Sequence, residues 1–267
     1  MKTVSILGCG WLGLPLGKHL AKAGYVVKGS TTHASKMAQI EEASIRPYHL
    51  TFAPDLEGEA EDFFDSDVLL INLPPRNKDG QADFHQNQLL AIRERIESSH
   101  VLFISSTAVY PANDEEVTEA DASADCVTRG GIHLLEMERL FSESHDIRTT
   151  VIRFGGLYGS DRHPGRFLAG KQGLSGAHNP VNMIHLEDCI GVIRAVIAKD
   201  IWGEVFNACA PLQETRQSFY EKAAVALGVA PPSFTDAPAP FKKVNVDKLL
   251  RMTNYRFNIE RNYWISL

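Results

Sequence analysis

Three glycines near the N-terminus have the spacing of a phosphate-binding turn. They form a G-x-G-x-x-G segment, Gly8, Gly10 and Gly13, which follows the apolar run Thr3–Leu7 and opens an amphipathic stretch. Gly8 permits a tight turn off a strand, Gly10 lets the backbone approach a pyrophosphate, and Gly13 lets a helix pack closely on the sheet. Because a helix N-terminus attracts phosphates, this strand–turn–helix context predicts a dinucleotide site. The alternative is an ordinary glycine-rich turn between a strand and a helix.

The segment after the second apolar run indicates which dinucleotide binds. Folds specific for NAD place an Asp or Glu there, on the ribose 2′-hydroxyl, but residues 24–40 contain no acidic residue. Hydroxyl groups and a positive charge could instead accept a 2′-phosphate. The residues that carry them are Ser30, Thr31, Thr32 and Lys36. The sequence therefore favours NADP(H), with NAD(H) possible; a polar loop in which Ser35 caps a helix is the alternative.

Further cofactor contacts are expected from the turn itself and from the ends of two predicted strands. These strands span residues 67–72 and 100–105, and the first is almost wholly apolar, as a buried parallel strand is. Ligands bind to open α/β sheets at the carboxyl ends of the strands. The additional residues predicted to contact the cofactor are Trp11, Leu12, Leu73, Pro74, Pro75 and Ser105.

Predicted strands alternate with predicted helices almost throughout the chain. This alternation predicts an α/β fold of the Rossmann type, a doubly wound parallel sheet with right-handed crossovers and a small C-terminal lobe. We assign residues 1–156 and 181–209 to the dinucleotide-binding core, and 157–180 and 210–267 to a substrate or lid lobe. Residues 56–64 are expected to form a short acidic helix, and 113–125 an exposed acidic loop.

Composition excludes several classes of protein. The 267 residues carry a net charge of −6 with a pI near 5.9, which argues against a nucleic-acid-binding surface. No apolar run reaches 18 residues and no signal peptide precedes the first strand, so we expect no membrane contact. The four cysteines form no C-x-x-C pair and the ten histidines lack metal-ligand spacing, which favours a cytoplasmic protein without a bound metal. No pattern specifies the small-molecule substrate or the oligomeric state.

Four segments in the right order resemble a known superfamily. They are the glycine turn, Ser105-Ser-Thr-Ala-Val-Tyr110, Arg153-Phe-Gly-Gly-Leu-Tyr-Gly159 and Asn182-Met-Ile-His-Leu-Glu-Asp188. Together they resemble the extended short-chain dehydrogenases/reductases, which include the NAD(P)-dependent epimerases and dehydratases of nucleotide sugars. The resemblance covers almost the whole chain, and it is specific for the superfamily but not for a substrate.

The resemblance also implies a catalytic Ser or Thr, a Tyr and a Lys, the last two in a Tyr-x-x-x-Lys motif. Ser106 occupies the Ser/Thr position, four residues before the Tyr of the Val-Tyr pair. Matching Glu138 to the family's Glu places Gly130 at the Tyr position and Leu134 at the Lys position. Since glycine and leucine transfer no protons, the chain resembles an atypical branch that lacks this motif.

Other side chains could supply the missing proton donor. Tyr110 and His133 are the candidates, because a histidine titrates near neutral pH and a tyrosine carries a polar tip. Tyr158 and His185 are further possibilities, and Arg129 could bind an anionic group. For each of them a packing or surface role is the alternative.

Two functions of different classes fit these residues. The first is an NADP(H)-dependent oxidoreductase or epimerase with a non-standard active site. The second is a non-enzymatic NADP(H)-binding protein that acts as a redox sensor or regulator. Fold resemblance alone does not choose between them.

Overall fold

The protein was analysed as a computed structural model, which describes residues 1–52, 55–58, 60, 62–75, 83–98, 100–124, 128–159 and 161–258. Its strands are β1 (Thr3–Leu7), β2 (Val26–Thr31), β3 (Arg46–His49), β4 (Thr51–Phe52), β5 (Leu56–Glu57), β6 (Val68–Ile71), β7 (His100–Ser106), β8 (Glu115–Val117), β9 (Arg148–Phe154), β10 (Gly156–Tyr158), β11 (Met183–His185), β12 (Val205–Ala208) and β13 (Lys242–Val244). Its helices are α1 (Gly13–Lys22), α2 (Met37–Glu42), α3 (Phe84–Arg93), α4 (Arg129–Ser142), α5 (Leu186–Ala198), α6 (Arg216–Ala226) and α7 (Asp247–Thr253).

A seven-stranded sheet confirms the predicted fold class. Its strand order is β12-β9-β7-β6-β1-β2-β3, and the neighbours from β7 to β3 pair in parallel. The order runs outward from β1 in both directions, which is the pattern of a doubly wound sheet. All four residues of β6 are buried, as expected for a parallel strand that is covered on both faces.

The chain divides into two compact units. The first comprises residues 1–105, 133–152 and 196–205, and the second comprises 106–132, 153–195 and 206–267. The division of the chain that we made from the sequence stays a prediction. In the first unit, an apolar core gathers side chains from the sheet and from α3 and α4, including Ile71, Leu89, Phe103 and Phe141. In the second unit, a smaller cluster contains Tyr158, Val181, Met183 and Phe219.

Two local predictions are wrong. Residues 56–64 form no helix where the structure describes them: Leu56–Glu57 is a short strand that pairs antiparallel with Thr51–Phe52, and Gly58 has a φ of +113°. Residues 59 and 61 lie outside the described residues. The acidic loop contains β8, which pairs in parallel with β13 and in which Val117 is buried. It also contains a turn of 3-10 helix at Glu119–Asp121. Composition alone does not predict this strand, because acidic residues are uncommon in strands and only Val117 carries a strand signal.

None of the helices in the described part of the chain is long and apolar enough to span a membrane.

Candidate functional site

The glycine turn is fixed on both sides by the strands next to β1. The Gly8 N–H donates to the Ser30 hydroxyl at 3.0 Å, and the Cys9 N–H donates to the Ser30 carbonyl at 2.8 Å, so the turn is tied to β2. The Asn72 amide donates to the Gly8 carbonyl at 3.1 Å, which ties the turn to the end of β6. These bonds hold the turn rigid at the carboxyl edge of the sheet, where ligands of such folds bind.

The three glycines of the turn are surrounded differently. A Cβ on Gly13 would lie 2.2 Å from the Gly8 carbonyl oxygen, and a Cβ on Gly8 would lie 2.6 Å from the Asn72 carbonyl oxygen. Gly8 also has a φ of +104°, which favours glycine. Gly10 differs from both, because it is exposed and a Cβ there would meet no atom within 4 Å. Neither the backbone nor the packing requires a glycine at position 10, so the bare backbone is left open to a ligand.

The turn leads into a helix that suits an anion. No acidic side chain lies in the first turn of α1, so nothing there opposes the positive end of its dipole. Leu12, just before α1, is buried, and Trp11 is half-buried. A pyrophosphate fits this combination of open backbone and unopposed dipole. The residues present therefore fit the phosphates of a dinucleotide, although contacts from Trp11 and Leu12 stay a prediction.

The hydroxyl residues after β2 fall into two groups. Ser30 and Thr31 are buried, and each hydroxyl accepts a backbone N–H: Gly8 donates to Ser30, and His33 donates to Thr31 at 3.2 Å. Their oxygens therefore support the local backbone. Thr32 and Lys36 are exposed at the same strand end. The side chains that remain open to a 2′-phosphate are thus Thr32 and Lys36, and the predicted contacts of all four stay predictions.

The chain just after β6 contacts a histidine of α3 that the sequence analysis did not single out. Leu73 is half-buried while Pro74 and Pro75 are exposed. The Leu73 carbonyl is 3.3 Å from Nε2 of His85, whose Nδ1 is 2.9 Å from Nε2 of His133. Burial, and then the neighbouring His133, lower the pKa of His85 to about 4. The sequence does indicate that His85 is buried. It shares one face of α3 with Leu89 and Ile92, at positions i, i+4 and i+7.

The end of β7 holds two serines with different surroundings. The Ser105 hydroxyl is buried and donates to the Glu138 carboxylate at 2.5 Å, which ties α4 to β7. Ser106 is half-buried, and its Oγ accepts the Ala108 N–H at 3.2 Å, which starts a turn of 3-10 helix. This bond makes a Ser/Thr turn, in which a side-chain hydroxyl accepts from the backbone two residues on. It leaves the hydroxyl hydrogen able to donate, so the catalytic role of Ser106 stays a prediction.

Tyr110 lies in a buried polar network of the second unit. Its hydroxyl donates to Asn207 Oδ1 at 2.7 Å and accepts from Arg153 at 2.7 Å. Arg153 also donates to the Glu119 carbonyl at 3.0 Å. Burial raises the pKa of Tyr110 to about 12. This geometry favours the packing alternative for Tyr110, because both hydrogen-bonding capacities of its hydroxyl are used and it is a poor acid.

The remaining candidates also have clear positions. Tyr158 and His185 are buried with ring centroids 5.1 Å apart, and burial lowers the pKa of His185 to about 4. Arg129 is exposed at the start of α4. Gly130 is exposed with open space at its Cβ position, whereas Leu134 is 7% exposed. Among the described residues, no group of three or more His, Cys, Asp or Glu side chains could hold a metal ion.

The sheet order and the glycine turn define an α/β protein of the Rossmann type. No family model matches the chain. The chain is 35% identical over 246 residues to protein YeeZ of Escherichia coli strain K12, and the alignment covers 89% of this chain and 88% of YeeZ. The chain therefore belongs to the family of protein YeeZ.

Solved structures share the fold at lower identity. A functionally unknown conserved protein from Silicibacter pomeroyi DSS superposes with a TM-score of 0.76 at 23% identity, covering 99% of this chain and 96% of that one. UDP-glucuronic acid 4-epimerase from Bacillus cereus, in complex with NAD, superposes with a TM-score of 0.73 at 20% identity, covering 97% and 94%. The chain thus shares the fold of these two proteins.

Proposed function

We propose that this protein binds a nicotinamide dinucleotide at the turn from Gly8 to Gly13 and acts as an epimerase-like oxidoreductase on a small molecule. The observation that carries the proposal is the open, exposed backbone at Gly10, between two glycines that the fold itself requires. The NAD complex of a protein with the same fold supports it. When bound, the cofactor would accept and return hydride; the chain would hold its pyrophosphate with the backbone of the turn and the start of α1.

We further propose that NADP(H) binds more tightly than NAD(H). The support is the lack of an acidic residue in 24–40 and the exposure of Thr32 and Lys36 after β2. A carboxylate at that place would repel a 2′-phosphate, whereas an ammonium group and a hydroxyl attract one. Isothermal calorimetry with NADPH and NADH tests the preference, and equal or tighter binding of NADH would refute it.

We propose an active site without the Tyr-x-x-x-Lys pair, with Ser106 as a hydrogen-bond donor to the substrate oxygen. The support is the sequence match based on Glu138, which places Gly130 at the superfamily's Tyr position and Leu134 at its Lys position. Little turnover of ordinary nucleotide sugars is therefore expected. A panel of UDP-sugars and small carbonyl compounds, assayed with NADPH and NAD⁺, tests this. Robust turnover of a UDP-sugar that Ser106→Ala alone abolishes would restore the ordinary mechanism.

The burial of Leu134 favours a second candidate function, that of a non-enzymatic NADP(H)-binding redox sensor. A leucine packed into the protein at the family's Lys position holds no ribose and activates no tyrosine. NADPH binding without turnover of any compound in the panel would support the sensor. Turnover of any of them would support the enzyme.

A further inference from the structure

Two histidines form a hydrogen-bonded pair between α3 and α4 in the first unit. Nδ1 of His85 and Nε2 of His133 are 2.9 Å apart, and the ring centroids are 5.2 Å apart with the planes tilted by 60°. His85 is 2% exposed, while His133 is only half-buried. One histidine of the pair is therefore shielded from water and the other is accessible.

The hydrogen bonds fix the protons on both rings. The Leu73 carbonyl can only accept, so Nε2 of His85, at 3.3 Å, carries a hydrogen and donates it. Burial lowers the pKa of His85 to about 4, so near neutral pH this ring is uncharged and its Nδ1 carries no hydrogen. His133 must then donate from its own Nε2. In the neutral pair, Nδ1 of His133 is left as a bare nitrogen with a lone pair.

Leu73 connects the pair to the glycine turn. The backbone carbonyl of Leu73 accepts the hydrogen bond from His85. The side chain of Leu73 lies near Gly8, since a Cβ built on Gly8 would be 3.4 Å from it. α4 is tied to the carboxyl end of β7 by the bond between Ser105 and Glu138. The pair is thus connected to the ends of β1, β6 and β7, the edge at which dinucleotides bind to such sheets.

Two charged residues lie within about one helical turn of His133 on α4. On its own helix, Arg129 precedes it by four residues and Glu136 follows by three, and both are exposed. The buried Glu138 is bonded to Ser105, and α3 presents the neutral His85. His133 also lies one turn beyond Gly130, about 60° around the helix axis.

Building on the proposed function, we propose that Nδ1 of His133 is the atom that takes and returns the substrate proton, and that His85 is its positioning residue. Oxidation of a substrate alcohol breaks its O–H bond and forms an N–H bond at Nδ1 of His133. The hydride of the adjacent C–H bond would be accepted by the nicotinamide dinucleotide of the proposed function. Reduction of a carbonyl group reverses both transfers. Through its bond to Leu73, His85 keeps the other nitrogen of His133 occupied as a donor, which fixes the reactive nitrogen.

A labelling experiment tests the position of His133 without a substrate. Diethyl pyrocarbonate acylates unprotonated, accessible imidazole nitrogens, and peptide mass spectrometry locates the product. We expect His133 to be labelled at neutral pH and His85 to be spared. NADPH should slow the labelling of His133 at least tenfold, whereas 2′,5′-ADP, which lacks the nicotinamide half, should not. Bound NADPH without protection of His133 would overturn the proposal. Calorimetry run in parallel detects the separate case in which no dinucleotide binds and the proposed function itself fails.

Matched variants of His85 test its positioning role. Asparagine and leucine have nearly the same shape, but only asparagine offers an acceptor where His85 has Nδ1. In ¹⁵N spectra of the parent and of His85→Asn, the Nε2–H of His133 should show a hydrogen bond, seen as slow exchange with water. In His85→Leu it should exchange quickly. Equal exchange in the two variants, with equal thermal stability, would overturn the role of His85.

Turnover gives the last test. On a carbonyl compound reduced by the parent, His133→Gln should lower kcat at least 100-fold while KM and NADPH affinity change little. His85→Leu should lower kcat about tenfold, and His85→Asn should restore most of it. His145→Gln, a change at an exposed histidine after α4, serves as the control. Unchanged kcat in His133→Gln, or NADPH binding without turnover of any panel compound by the parent, would overturn the proton-transfer role.

Discussion

Replacing Gly10 by valine should separate ligand binding from folding. Gly10 is exposed, and a Cβ there meets no atom within 4 Å. Its φ is not among the positive values in the chain, so a valine can adopt the backbone conformation. We therefore expect the free energy of unfolding to change by no more than about 0.5 kcal/mol. For a chain of this size the melting temperature should move by no more than about 2 °C.

The effect on binding should be much larger. The valine side chain would occupy the space that a pyrophosphate needs against the turn. Losing about two charge-assisted hydrogen bonds of about 1.5 kcal/mol each costs about 3 kcal/mol. At about 1.4 kcal/mol for each factor of ten, this cost predicts NADPH affinity lower by about 150-fold.

Gly13→Ala is the matched control, because it adds one Cβ to the same turn at a crowded place. That atom would lie 2.2 Å from the Gly8 carbonyl oxygen, so the turn must move. We expect this variant to lose about 1–3 kcal/mol of stability, as overpacked sites do. Calorimetry with NADPH and thermal unfolding followed by circular dichroism measure both quantities. If Gly10→Val binds NADPH as tightly as the parent, the pyrophosphate lies elsewhere. If Gly10→Val loses as much stability as Gly13→Ala, the space beside Gly10 is not open.

Three further changes test the surroundings of the turn. Lys36→Glu should weaken NADPH binding about tenfold while NADH binding changes little, because only NADPH carries the 2′-phosphate that the new carboxylate repels; calorimetry decides it, with Lys18→Glu on α1 as the control. Ser105→Ala removes a donor from the buried Glu138 carboxylate and should cost about 1.5–3 kcal/mol in urea unfolding, and an unchanged midpoint would contradict the burial of that bond. Burial holds the pKa of His85 and of His185 at about 4, below the unfolded value, so acid protonates the unfolded chain first. The stability that these histidines contribute is present above about pH 6.5 and is lost as the pH falls towards 4, at about 1.4 kcal/mol per pH unit for each. Urea unfolding at pH 7 and pH 5 should show this loss reduced in His85→Leu, and an identical loss in parent and variant would refute it.

The sequence is informative about this fold because its signals are local. The glycine turn stands between an apolar strand and an amphipathic helix, and the apolar run at 68–71 is a buried central strand, as expected. The helix predicted at residues 56–64 was wrong, because acidic residues interspersed with apolar ones also fit a helical pattern. In the structure, Gly58 has a φ of +113° and permits a turn after β5. β4 and β5 are two residues each, which is too short for an alternation of apolar and polar residues to indicate a strand.

The site was harder to predict than the fold, because its contacts join distant parts of the chain. The hydroxyl of Ser30 was expected at a phosphate, yet in the structure it accepts the N–H of Gly8, 22 residues earlier. His133 was a candidate on its own, but its partner His85 lies 48 residues away. Residue type showed that these side chains could do chemistry. Only the packing of the sheet ends shows which atoms each one already engages.

The two positions of α4 that we matched to the superfamily's Tyr and Lys have opposite surroundings. Gly130 has no side chain and the space beside it is open, so a small group can occupy it. At Leu134 the side chain is 7% exposed, and an ammonium group there would be taken from water, at a cost that burial of an unpaired charge always carries. In this structure, position 134 contributes to packing and position 130 is open. In our proposal, the substrate proton is exchanged with another residue of the same helix. Three residues further along α4, the half-buried His133 has one nitrogen bonded to His85, and we propose its other nitrogen as the group that takes and returns the proton.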